Sequence, residues 1–308
     1  MRIILFAFTD WGIKGLETLI SNNHEILCVY THPMNMDKNE KVWYNSVIDA
    51  CKKYNIPVKE KTVLDDDDFN FIKNLNPELI ISLNWRRLIP KNIYQLPIKG
   101  TINIHAGKLP EYRGFAPINW ALINGETEIG ITAHYLEDTP DTGDIVHQEI
   151  IPVENNNNAF DVYQKALDVL PKVILKSVTN IENDNVNVIS QKNLQGFLCV
   201  KRFPEDGKIN WSQNRINIHN LIRALSDPFP NAFCFHKGDK ILIKKSKLLE
   251  NDIRGSPGRV YAIRKDGIIV TCGMEYDKNQ ALLITEISVN EKVMNPKEYF
   301  QTLWTTLE

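Results

Sequence analysis

Arg2 to Phe8 runs as one basic residue followed by unbroken apolar side chains, and Leu79 to Leu83 (LIISL) repeats the pattern. A strand with one wet face alternates polar and apolar residues. Runs without alternation predict strands covered on both faces, as in parallel sheets packed between helices. Further strands are predicted at Ile26 to Tyr30, at Val58 and at Ile102 to Ile104. Helical patterns at Gly12 to Ile20, Val42 to Lys53 and Phe69 to Asn74 fall between them. That alternation predicts an α/β fold: a twisted, mainly parallel sheet with helices on both faces.

After about Ser190 the pattern changes. Lys201 to Trp211 is polar and turn-rich, and Ile216 to Leu225 reads as a helix. Short runs follow at Ala232 to Phe235, Ile241 to Ile243, Gly258 to Ile263, Gly267 to Thr271 and Leu282 to Ile287. Their Gly-containing turns predict a small β-barrel. The division expected is residues 1–190 and, with a linker, 191–308. The chain has 308 residues, 43% hydrophobic, enough for two cores.

A net charge of −2 at pH 7 disfavours a broad nucleic-acid face. Five scattered cysteines without a CxxC pair suit reduced thiols in the cytoplasm. No signal-peptide pattern and no run of about 18 apolar residues predict a membrane role. Gly12 and Gly15 do not make a dinucleotide fingerprint and suit a tight strand-to-helix turn. Asp65 to Asp68 reads as a helix cap rather than a metal site, and Ala159 to Leu170 as a helix ending before Pro171. No metal is expected.

Thr101 to Val146 carries the chemistry. Asn103 and His105 are two apart, so on a strand both side chains share one face. Asp141 follows in the turn Pro140-Asp141-Thr142-Gly143, after an intervening strand, helix and strand long enough for a crossover back to His105. An amide, an imidazole and a carboxylate suit acyl transfer to an amine. The amide donates to a developing oxyanion, the imidazole moves protons near neutrality, and the carboxylate holds the imidazole. Strand-end Asn and His also serve as turn formers, so spacing alone leaves both roles open.

The stretch INIHAGKLPEYRGFAPINWALINGETEIG, followed by DTPDTGDIV, resembles the 10-formyltetrahydrofolate-dependent formyltransferases. The resemblance continues in RFPEDGKINWS, IHNLIRAL and PFPNAF. It implies a Rossmann-like catalytic domain followed by a small barrel of oligonucleotide-binding (OB-like) type, with Asn103, His105 and Asp141 as catalytic residues. Lys108-Leu109 departs from the two leucines common in relatives, in the loop rather than in the trio. The donor implied is 10-formyltetrahydrofolate. The loop Ser82 to Pro90 would lie against its pteridine, with Trp85, Arg86, Leu88 and Ile89 as candidate contacts.

For the acceptor, Thr31 to Val47 resembles UDP-4-amino-4-deoxy-L-arabinose formyltransferases and lacks a long basic loop for gripping tRNA. A nucleotide-linked amino sugar for surface glycan or lipopolysaccharide synthesis is therefore expected, with methionyl-tRNA as the alternative. Arg113 and Arg202 are candidate contacts, because guanidinium matches phosphate oxygens bidentately. The intact trio argues against a non-catalytic folate-binding module and leaves hydrolysis of the formyl donor open. A homodimer is among the assemblies left open.

Overall fold

The structure, a computed structural model, describes residues 1–36, 41–250, 253–273, 280–303 and 305–308. Two compact units interleave along the chain. Met1–Pro117, Glu128–Pro152 and Tyr163–Val200 form the first, and Ile118–Thr127, Val153–Val162 and Lys201–Glu308 the second. Where the sequence suggested one boundary, the chain passes between the units more than once.

In chain order the elements run β1 (Arg2–Ala7), α1 (Thr9–Ser21), β2 (Glu25–Thr31), α2 (Val47–Lys53), β3 (Val58–Glu60), α3 (Asp66–Leu75), β4 (Leu79–Leu83), α4 (Lys91–Tyr94) and β5 (Thr101–His105). They continue through β6 (Arg113–Gly114), α5 (Pro117–Ile123), β7 (Glu128–Tyr135), β8 (Ile145–Pro152), α6 (Ala159–Glu182) and β9 (Leu198–Cys199).

Among the described residues, a seven-stranded sheet in the first unit has the order β3-β2-β1-β4-β5-β7-β8. Its first five strands are parallel, and β7 and β8 join antiparallel. Ile3, Ile4, Leu5 and Phe6 are all fully buried, as the absence of alternation required. Ile4, Phe6, Tyr30 and Ile80 share one cluster with Ile72 of α3 and Ile93 of α4. Each such side chain contributes about 1.5–3 kcal/mol by leaving water.

Three expectations are corrected. The helix predicted from Val42 begins at Val47, because the Ser46 hydroxyl accepts from the Asp49 N–H and caps it there. The helix predicted to stop at Leu170 runs through Pro171 to Glu182. Val173, Ile174, Ser177, Val178 and Ile181 are buried beyond the proline, and that burial outweighs a penalty of about 3 kcal/mol. The return from β5 is no parallel crossover, since β7 pairs with β5 antiparallel. The cap expected of the acidic run is present: Asp65 and Asp68 each accept the other's backbone N–H.

The second unit holds α7 (Arg215–Ala224), β10 (Ala232–His236), β11 (Asp239–Leu248), β12 (Val260–Arg264), β13 (Gly267–Thr271), β14 (Ala281–Val289), β15 (Lys292–Met294) and α8 (Pro296–Tyr299). Its antiparallel sheet has the order β10-β11-β14-β13-β12, with β15 on β14. The last residues close it into a barrel. Phe235 of β10 exchanges two backbone hydrogen bonds with Glu308. On the other edge, Val260 donates to Thr305, and Leu307 donates to Gly258. Both sheet edges are thereby paired. Trp211, Ile218, Ile222, Ile241, Val270 and Ile284 are among the residues filling the core.

Candidate active site

β1 is flanked by β2 on one side and β4 on the other, so strand order reverses at the carboxyl ends of β1 and β4. Open α/β sheets bind ligands at such a switch point. The loops emerging there begin at Phe8 and Asn84, and β5 ends next to them at His105.

Asn103 and His105 project from one face of β5. Asn103 lies in register with His134 of β7, which adds a second imidazole to that face. Asp141, in the loop between β7 and β8, reaches back to all three. Its Oδ2 lies 3.6 Å from His105 Nδ1 and accepts the Gly114 N–H at 2.8 Å. Its Oδ1 lies 3.2 Å from His134 Nε2 and accepts Asn103 Nδ2 at 3.3 Å. Burial alone would raise this carboxyl. The His105 and His134 rings and the Gly114 N–H overcome it and hold Asp141 well below the usual carboxylate range.

The tautomers follow from the carbonyls, which only accept. His105 Nε2 is 2.7 Å from Tyr112 O and therefore carries a proton there. His134 Nδ1 is 2.8 Å from Tyr135 O and carries one likewise. The remaining nitrogen of each ring faces Asp141, and a proton there as well makes the ring the charged form that this carboxylate attracts. To donate outward from Nε2, the His105 ring must give up Tyr112 O. Catalytic hydrogen bonds commonly form in this way only when substrate is bound.

The backbone is built for closeness. Gly114 has φ 92°, and a Cβ there would sit 2.5 Å from Cys199 O. Asp141 itself has φ 55°, a left-handed conformation that Asp tolerates better than most residues.

The β4 loop is of another kind. Trp85 stacks on His32 at 3.7 Å between ring centroids and meets Phe6 edge-on. Its Nε1 is buried and has no hydrogen-bond partner among the described residues. His32 donates through Nδ1 to Lys61 O and accepts the Arg86 N–H on Nε2. Burial pushes His32 down to about 4. The Arg86 guanidinium lies over Phe8. Leu88 is 75% exposed, whereas Ile89 is 7% exposed and belongs to the core beneath the loop. The rings continue from Phe8 through Tyr44, Trp43 and Tyr163 to Trp11, whose Nε1 donates to Ile104 O between the two catalytic candidates. Residues 37–40 of the Thr31–Val47 segment lie outside the described residues.

The two candidate arginines part company. Arg113 donates to Gln191 in the first unit. Arg202 belongs to the second unit, where it lies over the Trp120 ring and lines a cavity of about 550 Å³ with Asn124, Lys208, Asn210 and Gln213. Sequence reasoning missed His134 and Gln191. His134 is the one imidazole in the run Ile129 to Tyr135, but its place beside Asn103 comes from cross-strand register. Gln191 lies in irregular chain and gives no signal. No described group of three or more His, Cys, Asp or Glu is arranged to hold a metal, and no described helix is long and apolar enough to cross a membrane.

Residues 1–178 match the family described as Formyl transferase, and residues 202–303 match Formyl transferase, C-terminal domain. A methionyl-tRNA formyltransferase of Alkaliphilus oremlandii (strain OhILAs) is 34% identical over 302 residues, covering 97% of this chain and 96% of that protein. The bifunctional polymyxin resistance protein ArnA of Wigglesworthia glossinidia brevipalpis is 33% identical over 273 residues. Those cover 88% of this chain and 41% of that longer protein. Among solved structures, the N-formyltransferase of Helicobacter canadensis, in complex with folinic acid and dTDP-3-aminofucose, matches with TM-score 0.71 at 20% identity, covering 92% of this chain and 98% of that one. A methionyl-tRNA formyltransferase from Clostridium thermocellum matches with TM-score 0.58 at 18% identity, over 82% and 96%. At these identities the structural likeness speaks for the fold.

Proposed function

Since this chain belongs to the formyl transferase family, we propose that it is a cytoplasmic N-formyltransferase taking its formyl group from 10-formyltetrahydrofolate and delivering it to a nucleotide-linked amino sugar. The observation that carries the chemistry is the buried Asp141 carboxylate shared by His105, His134 and Asn103.

The folate fits the β4 loop on two counts. The loop leaves the sheet at its switch point, and the buried, unpaired Trp85 Nε1 offers a donor to a heteroaromatic edge. Of the remaining candidates, the exposure of Leu88 supports a contact with a ring face, Arg86 lies over Phe8, and Ile89 supports the loop from below. When bound, the folate supplies the formyl carbon on a nitrogen leaving group. Asn103 then turns its amide from Asp141 to the developing oxyanion, a role worth about 10²–10³ in rate. His105 releases Tyr112 O and carries a proton between the amine and the leaving nitrogen. Asp141 holds the charged imidazole and orients it.

The acceptor rests on charge. Gripping an acceptor stem uses many phosphate contacts, and this chain carries net −2. The Thr31–Val47 segment favours a 4-amino sugar. A second reading, methionyl-tRNA, has its own support in the 34% identity to the Alkaliphilus enzyme. The test offers purified protein and 10-formyltetrahydrofolate, in parallel, methionyl-initiator-tRNA and UDP-, dTDP- and GDP-linked amino sugars. Turnover of a sugar is expected. Efficient formylation of the tRNA, with every sugar left untouched, would establish the second reading instead.

A further inference from the structure

Asp141 has to be held at both ends. Its carboxylate is fixed by the groups described above, but its backbone lies in a sparsely populated left-handed conformation within a loop. Gln191 supplies the missing restraint. This side chain is 4% exposed, and its Nε2 donates to Asp141 O at 3.1 Å and to Gly143 O at 2.6 Å. Its Oε1 accepts from Arg113 through Nε at 3.2 Å and Nη2 at 2.9 Å. An amide can be turned either way about its last bond. The guanidinium, which only donates, fixes the oxygen on its own side and so forces the Nε2 hydrogens toward the loop carbonyls. Arg113 adjoins Gly114, whose N–H holds the carboxylate of the same Asp141. Two neighbouring residues of β6 therefore grip Asp141, one directly and one through Gln191.

We infer that Gln191, braced by Arg113, is a positioning residue that sets Asp141 against His105 and His134, and that Arg113 acts through Gln191 rather than on the acceptor's phosphates. The inference rests on the formyltransferase reading for its kinetic arm only. Its structural arm is independent of any activity.

The structural arm is hydrogen exchange over the segment containing Asp141 to Gly143. Gln191→Met keeps the length of the side chain and removes both of its hydrogen-bonding roles. It is expected to speed exchange in that segment while exchange in β1 and β4 stays as in the wild type. Unchanged exchange at Asp141 to Gly143 would overturn the inference, whatever the protein's reaction proves to be.

For the kinetic arm, wild-type turnover is measured first. Absence of turnover with every acceptor would count against the function and leave the exchange result standing. With turnover in hand, Gln191→Met is expected to lower kcat about 10–100-fold, because misplacing a reacting group by about 1 Å costs that much, with KM for both substrates held within about threefold. Arg113→Met should do the same. The double variant should be no worse than the poorer single one, since the pair acts as a unit. Arg113→Lys keeps one donor to Oε1 and should recover part of the rate. A raised acceptor KM at undiminished kcat in Arg113→Met, unmatched in Gln191→Met, would instead make Arg113 a direct acceptor contact.

Discussion

The polar cluster around Asp141 and the ring-lined loop after β4 both lie in the first unit, and they are stabilised in opposite ways. In the cluster, an amide, two imidazoles and a backbone N–H converge on one carboxylate. Burying such groups is costly unless each is paired, so the arrangement is held by directed bonds and fails when one partner is lost. In the loop, Trp85, His32, Phe6 and Phe8 make area contacts that tolerate small shifts. The first arrangement suits the placing of charge as it develops in a reaction. The second suits binding a flat ligand. Substitutions in the cluster should therefore move kcat, and substitutions in the loop should move KM or stability.

The largest effect tests the first half of that contrast. His105→Ala, Asn103→Ala and Asp141→Ala are each expected to lower kcat for folate-dependent formylation by at least about 10², with the fold retained by circular dichroism. His134→Ala should also lower kcat, since Asp141 then loses one of the two partners on Oδ1 and Asn103 loses its cross-strand neighbour. A folded His105→Ala enzyme with near-normal turnover would remove the ring from the chemistry and erase the contrast.

Adjacent residues in the loop give the next test. Ile89→Ala opens a cavity in the core under the loop and should cost about 2–5 kcal/mol of stability in denaturant titration. Leu88 is 75% exposed, so Leu88→Ala should change stability by no more than about 0.5 kcal/mol. If Leu88 covers the folate, its loss appears as a raised KM for the donor at constant kcat. Equal stability losses at the two positions would mean that the loop packs differently from the structure described.

These two regions were unequally legible in the sequence. Asn103 and His105 announce themselves because a strand's period of two fixes their common face, and Asp141 because its turn residues are distinctive. His134 joins them only through cross-strand register, which the sequence does not print. Gln191 lies in irregular chain, where no periodicity assigns a direction to its side chain. In the loop the sequence shows Trp85, Leu88 and Ile89 alike as apolar. Which of them faces the core depends on how the loop returns to α4. The parallel strands were readable from their unbroken apolar runs. Closure of the second unit by Thr305 to Glu308 was not, because its sheet-edge bonds use backbone groups, and the side chains that help, Thr305 on His236 and Leu307 in the core, are too few to print a period.

The smallest effect separates the regions by pH. His32 is buried and neutral, with its proton on Nδ1, and its folded value of about 4 lies below the ordinary 6.5. Between those values the unfolded chain takes up a proton that the folded chain refuses, so stability falls as pH drops from about 6.5 to about 4 and levels off below that. Asp141 is depressed from 3.8, so its contribution is complete above that value and is lost only in stronger acid. The loop should thus weaken in mild acid, where the Asp141 cluster is still intact. His219 of the second unit, also pushed down to about 4 by burial, titrates in the same window as His32. Wild type must therefore be compared with His32→Asn, which keeps a donor and an acceptor but does not titrate. Between pH 7 and pH 4 the wild type should lose on the order of 2–3 kcal/mol more than the variant, read from urea titrations at each pH. Parallel stability curves for the two proteins would show that His32 is protonated alike in folded and unfolded chains, and the stack under Trp85 would then have to be open to water.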